Sequence, residues 1–228
     1  MKREEEKKTP VWKKVAFIAI GVAFVGMMIL SSWGMGWLTT FRTVQPLETV
    51  ELQFTIRDGN GNAILTTDLP TARAALQQGI PVFYASEALP MTAGKTGSPA
   101  FTLIPAYNPV IGSTNFALFG QEYDEMSVGL LGLHAGESRT IPFAFNDTYE
   151  QTFTAEYLES RGFNFSTLAV GDLVSFGIST TPVVEGLENE TQEEMAVRTA
   201  SVVEKTNESA TFRFRYATAQ LSFAEFPR

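Results

Sequence analysis

The side chains that enzymes use most often for catalysis are scarce in this sequence. The chain of 228 residues contains no cysteine and a single histidine, His134. Disulfides, thiolate metal sites and cysteine nucleophiles are therefore excluded. One histidine cannot form a histidine metal cluster, and a Ser-His-Asp triad would have to use it. The acidic run from Glu185 to Glu194 lacks the alternating ligands and central glycine of a calcium loop. The sequence predicts neither a metal site nor a cofactor.

Charge and apolar content restrict the function classes further. The formal net charge is −8 and 44% of the residues are hydrophobic. This composition is too apolar for a disordered tail and too acidic for a nucleic-acid binder. The length suits one large domain or two small ones.

The N-terminal charge pattern predicts a membrane anchor. Residues 15–37 carry no charge, and six cations lie within residues 1–14. As a helix the uncharged stretch would be about 35 Å long, against roughly 30 Å for a bilayer core. The positive-inside rule then predicts a cytoplasmic basic tail over 1–14, a single-pass anchor over 15–37 and an extracytoplasmic remainder. A cleaved signal peptide is the alternative, although residues 31–36 form a poor cleavage site.

Apolar periodicity predicts that the remainder is rich in strands. Residues 50–57 alternate, an Asp-Gly turn follows at 58–62, and 63–67 would return as a hairpin strand. A short helix is predicted over 126–133, with Met126, Leu130 and Leu133 on one face. Further strands are predicted near 141–145, 174–178, 196–205, 209–216 and 221–226. Residues 68–118 form an extended, ordered insertion, with a short helix from Pro70 to before Gly79.

The order of these elements resembles the FKBP-type peptidyl-prolyl isomerases. Residues 129–151 read GLLGLHAGESRTIPFAFNDTYEQ, which is similar to the family's helix-ending turn, strand and tyrosine-bearing flap. Residues 146–149 resemble the NDAYG motif of the SlyD-like branch. Residues 167–178, TLAVGDLVSFGI, are similar to the opening of that branch's insert-in-flap chaperone domain.

The resemblance implies an α+β fold with three parts after the basic tail. An N-terminal transmembrane helix would be followed by an FKBP-like antiparallel sheet wrapped on a short helix. A small β-rich insert-in-flap domain would complete the chain. The expected FKBP-like domain covers 48–151 plus 217–228, with 68–118 as a long insertion, and the insert covers 152–216.

The resemblance also implies the site. Prolyl isomerisation breaks no covalent bond and needs an apolar pocket with few polar groups. The expected catalytic residues are Tyr149, Phe54 and Phe223, and the expected substrate-binding residues are Tyr123, Met126 and Ile64. Four departures from the family pattern weaken the site: Leu65 replaces a polar aspartate, flexible Met126 replaces an aromatic platform, and Glu125 and Glu150 each replace a glycine.

Two functions follow from these residues. The first is a membrane-anchored, extracytoplasmic isomerase and chaperone for exported proteins, with proline-containing or unfolded polypeptides as partners. The alternative is a catalytically silent FKBP-like binding or structural module at the cell surface. Phe163, Phe165, Val183 and Val184 would either expose a sticky surface on the insert or fill its own core. Residues 68–118 could in addition dock onto a membrane complex.

Overall fold

The computed structural model describes residues 11–32, 42–144, 149–179 and 195–226. Two units emerge, 1–42 and 43–228. The described part of the first unit is helix α1, Val11–Ser32.

The predicted membrane anchor is corrected by the structure. Within the described residues, no helix combines the length and the apolar character needed to cross a membrane. Helix α1 begins at Val11, before Lys13 and Lys14, and ends at Ser32. The transmembrane helix at 15–37 is therefore wrong, as is the single-pass location derived from it. Residues 1–10 and 33–37 lie outside the described part of the chain.

In its described residues, the second unit contains twelve strands joined in one sheet, in the order β7-β12-β1-β2-β3-β5-β6-β10-β11-β8, with β4 on β1 and β9 on β10. The strands are β1 Thr49–Arg57, β2 Ala63–Thr66, β3 Phe83–Tyr84, β4 Leu89–Thr92, β5 Phe101–Asn108, β6 Gly112–Phe119, β7 Ser138–Pro142, β8 Glu150–Thr154, β9 Leu173–Ser179, β10 Met195–Lys205, β11 Ser209–Arg213 and β12 Thr218–Ser222. The helices of this unit are α2 Leu69–Gln77, α3 Gly120–Gly129 and α4 Ala155–Ser160, and a 3-10 turn covers Phe165–Thr167.

This topology contradicts the expected fold class. The sheet is mixed, because β2 pairs with β3 and β6 pairs with β10 in parallel. Strands β3, β5 and β6 come from the 68–118 segment and form the middle of the sheet. The strands expected to form a separate insert join the same sheet through the β6–β10 pair. The predicted FKBP-like antiparallel sheet with a small insert-in-flap domain is therefore wrong, because pairing between distant segments carries no local sequence signal.

Predictions that depend on neighbouring residues agree better with the structure than the predicted arrangement of the strands does. The alternation of 50–57 is confirmed as β1, and the turn after it is held by the Asp58 carboxylate. That carboxylate accepts hydrogen bonds from the backbone N–H groups of Asn60 and Asn62, at 2.9 and 2.7 Å. The helix expected from Pro70 is confirmed as α2, with Asp68 accepting a bond from the Thr71 N–H at 2.9 Å.

Two large hydrophobic clusters stabilise the sheet, and a smaller third cluster packs α2 against it. The main core combines β1, β2, α3 and β12 with strands from the 68–118 segment, and it includes Leu52, Phe83, Phe116 and Leu221. The second core includes Phe119, Leu158, Val202 and Phe212, and it is formed by β8 to β11 together with the end of β6. Met126, Leu130 and Leu133 are fully buried in the main core as expected, although α3 ends at Gly129 rather than at 133.

Gly120, at the junction of β6 and α3, is required by packing. A Cβ at this position would overlap the Pro99 carbonyl oxygen and lie 3.1 Å from the Ser98 carbonyl oxygen. Backbone atoms cannot rotate away, so we expect Gly120→Ala to lower the free energy of unfolding by about 1–3 kcal/mol. Urea denaturation measures this loss. In the control, Gly59→Ala, the added methyl meets nothing within 4 Å. Equal stability of the two variants would contradict the described packing.

Candidate functional site: an aromatic cleft beside an edge strand

A cleft of about 430 Å³ opens where strands of the second core meet β6. Four aromatic rings, one aliphatic side chain and three polar side chains line it. We call it the aromatic cleft: Phe101, Phe119, Tyr149, Glu150, Gln151, Ile178, Arg198 and Phe214. Its volume lies in the range of small-molecule and side-chain pockets.

The rings of the cleft are packed against one another. The centroids of Phe119 and Tyr149 are 4.2 Å apart, and those of Phe101 and Phe119 are 5.6 Å apart. Phe119 is fixed at the start of α3, because its N–H donates to the Glu122 carboxylate at 3.0 Å. The walls are therefore pre-arranged, which reduces the entropy lost when a ligand binds.

Tyr149 has an unusual backbone conformation. Its φ is +47°, in the left-handed region that residues other than glycine rarely adopt. Its carbonyl accepts a hydrogen bond from the Phe214 N–H at 3.1 Å, and its hydroxyl donates to the Gln121 Oε1 at 3.3 Å. Strained residues of this kind concentrate at binding and catalytic sites.

A buried cation lies under the cleft. Arg198 is fully buried and forms a two-pronged ion pair with Glu122, at 2.7 and 3.0 Å. Its guanidinium lies 3.6 Å from the Phe119 ring centroid and 4.3 Å from that of Tyr216. It also donates to the carbonyl oxygens of Ala117 and Phe214. Arg198 therefore joins β6, α3 and β10 beneath the aromatic walls, with its charge balanced by Glu122.

The pKa values of Arg198 and of the neighbouring Tyr216 are both raised. Burial lowers the pKa of Arg198, but the neighbouring Glu122 and Tyr216 outweigh that effect and raise it overall. Burial also raises the pKa of Tyr216, whose hydroxyl donates to the Thr199 carbonyl at 2.8 Å. Both groups stay in their usual protonation states through the physiological range.

Strand β8 forms one wall of the cleft and, among the strands that the structure describes, one edge of the sheet. The N–H of Ala155 donates to the Glu208 carbonyl and the N–H of Phe214 donates to the Tyr149 carbonyl. In the same register, Gln151 and Phe153 exchange bonds with β11. The N–H groups of Glu150, Thr152 and Thr154 and the C=O groups of Glu150 and Thr152 consequently point away from β11, while Thr154 is the N-cap of α4.

The opposite edge of the sheet differs. In the register of β7 and β12, the outward N–H positions are Ser138, Thr140 and Pro142. Proline has no N–H, so this edge offers one donor fewer and is protected against further pairing. Strand β8 is the edge better suited to accept another strand.

The structure places the sequence-predicted site residues in two separate regions. Phe54, Ile64, Met126 and Phe223 belong to the main core, and none of them is more than 3% exposed. Tyr123 packs against that core, and burial followed by the charge of Asp124 raises the pKa of its hydroxyl. Tyr149 instead packs against the second core and lines the aromatic cleft. A ligand can reach Tyr149 without displacing core side chains, whereas it cannot reach the four buried residues.

Two further predictions concern side chains near these cores. Phe165 is buried in the second core and Phe163 packs against it, so both fill a core rather than a free surface. Val183 and Val184 lie outside the described residues. Leu65 is fully buried, so an aspartate at that position would be an unpaired carboxylate in an apolar setting.

Sequence reasoning missed most of the cleft. Phe101 lies in the insertion that had no counterpart in the resemblance, and Phe119 and Arg198 come from segments 79 positions apart in the chain. The alternation of Phe212 and Phe214 with arginines predicted the strand β11. It did not predict which side chains that strand packs against. One signal was available: Arg198 is the one charged residue in the stretch 196–203, and an arginine that is buried in a strand needs an acidic partner.

Comparison with known proteins assigns no family. No protein-family model matches the chain, and no curated protein matches it at a significant level. The resemblance to FKBP-type isomerases therefore stays a prediction drawn from residues 129–151 and 167–178.

Proposed function

We propose that this chain is a peptide-binding module that takes up an extended, apolar or proline-containing segment of another polypeptide. The segment lies along β8 and places one side chain in the aromatic cleft. The observation that carries the proposal is the position of the cleft beside the exposed hydrogen-bonding edge of β8.

The lining of the cleft determines the chemistry of the bound side chain. Phe101, Phe119, Tyr149 and Phe214 offer ring faces, and the charge of Arg198 is already balanced by Glu122. An anionic group would find no unpaired cation among the described residues that line the cleft, and Arg213, opposite Glu150 in the β8–β11 pair, is itself bonded to Glu150 at 2.7 Å. A proline ring or an aromatic ring buries the most apolar area in such a cleft.

The backbone of the bound segment is recognised by β8. Addition of a strand to a sheet edge uses main-chain hydrogen bonds for affinity and pockets at alternate positions for specificity. The outward groups of Glu150, Thr152 and Thr154 provide the hydrogen bonds. The aromatic cleft provides the pocket at the N-terminal end of that strand.

The charge around β8 favours a basic segment. Glu156, Glu159 and Glu208 are exposed close to this strand, and the chain as a whole carries −8. Acidic surfaces attract cationic partners and raise their association rate at low ionic strength. Lysines flanking the apolar part of the peptide are therefore expected to strengthen binding.

The test uses a fluorescein-labelled peptide in which Phe and Thr alternate around a central Pro, with Lys at both ends. Thr152→Pro removes an outward N–H of β8 but none that bonds to β11. Thr152→Val is the matched control, because both variants lose the hydroxyl contact to Thr211 at 2.9 Å and only proline removes the N–H. We expect at least tenfold weaker binding, by fluorescence anisotropy, for Thr152→Pro than for Thr152→Val. Equal affinity of the two variants would exclude edge pairing.

Prolyl isomerisation is the second candidate function, favoured by the position of Tyr149. Its ring and hydroxyl lie at an apolar cleft, as the desolvation of a proline imide requires. A proline-limited refolding assay separates the two functions. Acceleration that is lost in Tyr149→Phe, with peptide affinity retained, supports catalysis. Peptide binding without acceleration supports the binding module alone.

A further inference from the structure

We infer that the bound segment runs antiparallel to β8, and that it accepts proline only at alternate positions, those that face the aromatic cleft. The inference rests on the function proposed above and specifies the ligand of that same site. Three features lead to it: the register of β8, the missing N–H of proline and the face of the sheet on which the cleft opens.

The outward hydrogen-bonding groups of β8 belong to residues whose side chains lie on one face of the sheet. They are the N–H and C=O groups of Glu150 and Thr152 and the N–H of Thr154. Across the β8–β11 pair, the Arg213 Nε donates to the Glu150 carboxylate at 2.8 Å, and the hydroxyls of Thr152 and Thr211 are bonded at 2.9 Å. A strand added to β8 therefore bonds to residues of this face.

The aromatic walls of the cleft lie on the other face. Tyr149 and Phe153 pack against the second core, and because side chains alternate along a strand, Gln151 shares their face. The Phe214 N–H donates to the Tyr149 carbonyl at 3.1 Å, which places Phe214 directly opposite Tyr149 and on the same face. To reach these rings, a side chain of the bound segment must lie on this face.

In an antiparallel pair, each bonding residue of β8 exchanges both hydrogen bonds with the residue directly opposite. Directly opposed side chains share a face, so the peptide residues that bond to Glu150 and Thr152 point away from the cleft. The peptide residues between them face the cleft, and their N–H groups point away from β8. Proline lacks an N–H, so it fits the cleft-facing positions and is excluded from the bonding positions.

A parallel pair reverses this pattern. Each bonding residue of β8 then bonds to the two peptide residues that flank the one opposite. Those flanking residues stand opposite Tyr149, Gln151 and Phe153, so the cleft-facing residues would need the N–H that proline lacks. A proline ring in the aromatic cleft is therefore compatible with edge pairing only when the segment is antiparallel. Antiparallel pairing is also slightly more stable per residue.

Single N-methylation of the labelled peptide tests the pattern on the full-length protein. An N-methyl group removes one N–H, as proline does, but leaves the side chain unchanged. One peptide is methylated at the Thr that precedes the Pro, and the matched control at the Phe before that Thr. By fluorescence anisotropy we expect at least tenfold weaker binding for the methylated Thr and less than a twofold change for the methylated Phe.

The possible outcomes separate the inference from the proposed function. Loss of binding for the methylated Phe instead of the methylated Thr, or equal losses for both, would overturn the antiparallel pattern and leave peptide binding in place. Full binding by both methylated peptides, or no binding by the unmethylated one, would contradict edge pairing itself.

Cross-linking measures the direction of the segment independently. The chain has no cysteine, so an introduced thiol is unique. Glu156→Cys places it in α4, after the C-terminal end of β8, and Gln121→Cys places it near the Tyr149 hydroxyl, at the N-terminal end. In Glu156→Cys, a peptide with an N-terminal bromoacetyl group is expected to react at least fivefold faster than one with the group on its C-terminal Lys. In Gln121→Cys we expect the reverse order. Opposite preferences in the two variants would overturn the inference.

Discussion

Replacing Arg198 by Met is expected to lower the free energy of unfolding by about 3–5 kcal/mol, the range measured when one partner of a buried ion pair is removed. The reason is the environment of Glu122, which is fully buried and has the Arg198 guanidinium at 2.7 Å. Without Arg198 this carboxylate is left uncompensated in the protein interior. The carbonyl oxygens of Ala117 and Phe214 lose a donor as well. Chemical denaturation of the full chain measures the change.

The double variant Arg198→Met with Glu122→Gln separates charge burial from the loss of hydrogen bonds, because the glutamine oxygen can still accept from the Phe119 N–H. Removing both charges eliminates the uncompensated carboxylate, so we expect the double variant to be more stable than Arg198→Met alone. It should remain below wild type, because the two carbonyl oxygens stay without a donor. If the double variant were no more stable than Arg198→Met, the uncompensated charge of Glu122 would not be the cause of the lost stability.

Loss of the Tyr149 ring is expected to weaken binding of the labelled peptide at least tenfold, equivalent to about 1.4 kcal/mol. Tyr149→Asn is the suitable replacement, because asparagine tolerates the positive φ of this position while removing the aromatic wall. The matched control is Tyr157→Asn, since Tyr157 is exposed near β8 but does not line the cleft. Fluorescence anisotropy gives both affinities. A similar loss for the two variants, or none for Tyr149→Asn, would place the bound side chain elsewhere.

The parts of the fold that sequence could predict are those with local causes. The alternation of residues 50–57, the Asp58 turn and the Asp68-Pro70 helix start each depend on neighbouring residues, and each is present. The buried face of Met126, Leu130 and Leu133 was likewise readable from spacing. The helix itself was placed too late in the chain, because its start at Gly120 depends on the carbonyl of Ala100, a contact between distant residues.

The candidate site was only partly predictable, for a related reason. Tyr149 stood out because a tyrosine in a polar turn is difficult to explain as core, and it does line the cleft. Apolar side chains of the same types line ligand pockets and fill hydrophobic cores. In the structure, four of the predicted site residues are in the main core: Phe54, Ile64, Met126 and Phe223. Strands from 68–118 supply side chains such as Phe83 and Phe116 to that core. Only the pairing of these strands with β2 and β10 determines which aromatic residues remain accessible.

The central claim is that a peptide adds to β8, and amide hydrogen exchange of the full chain tests it most directly. On addition of the labelled peptide, the amides of Glu150, Thr152 and Thr154 are expected to exchange more slowly. Those of Gln151 and Phe153 already bond to β11 and should change little, as should Thr140 on the opposite edge. Peptide binding that leaves the three outward amides unprotected, or that protects Thr140 instead, would contradict the account.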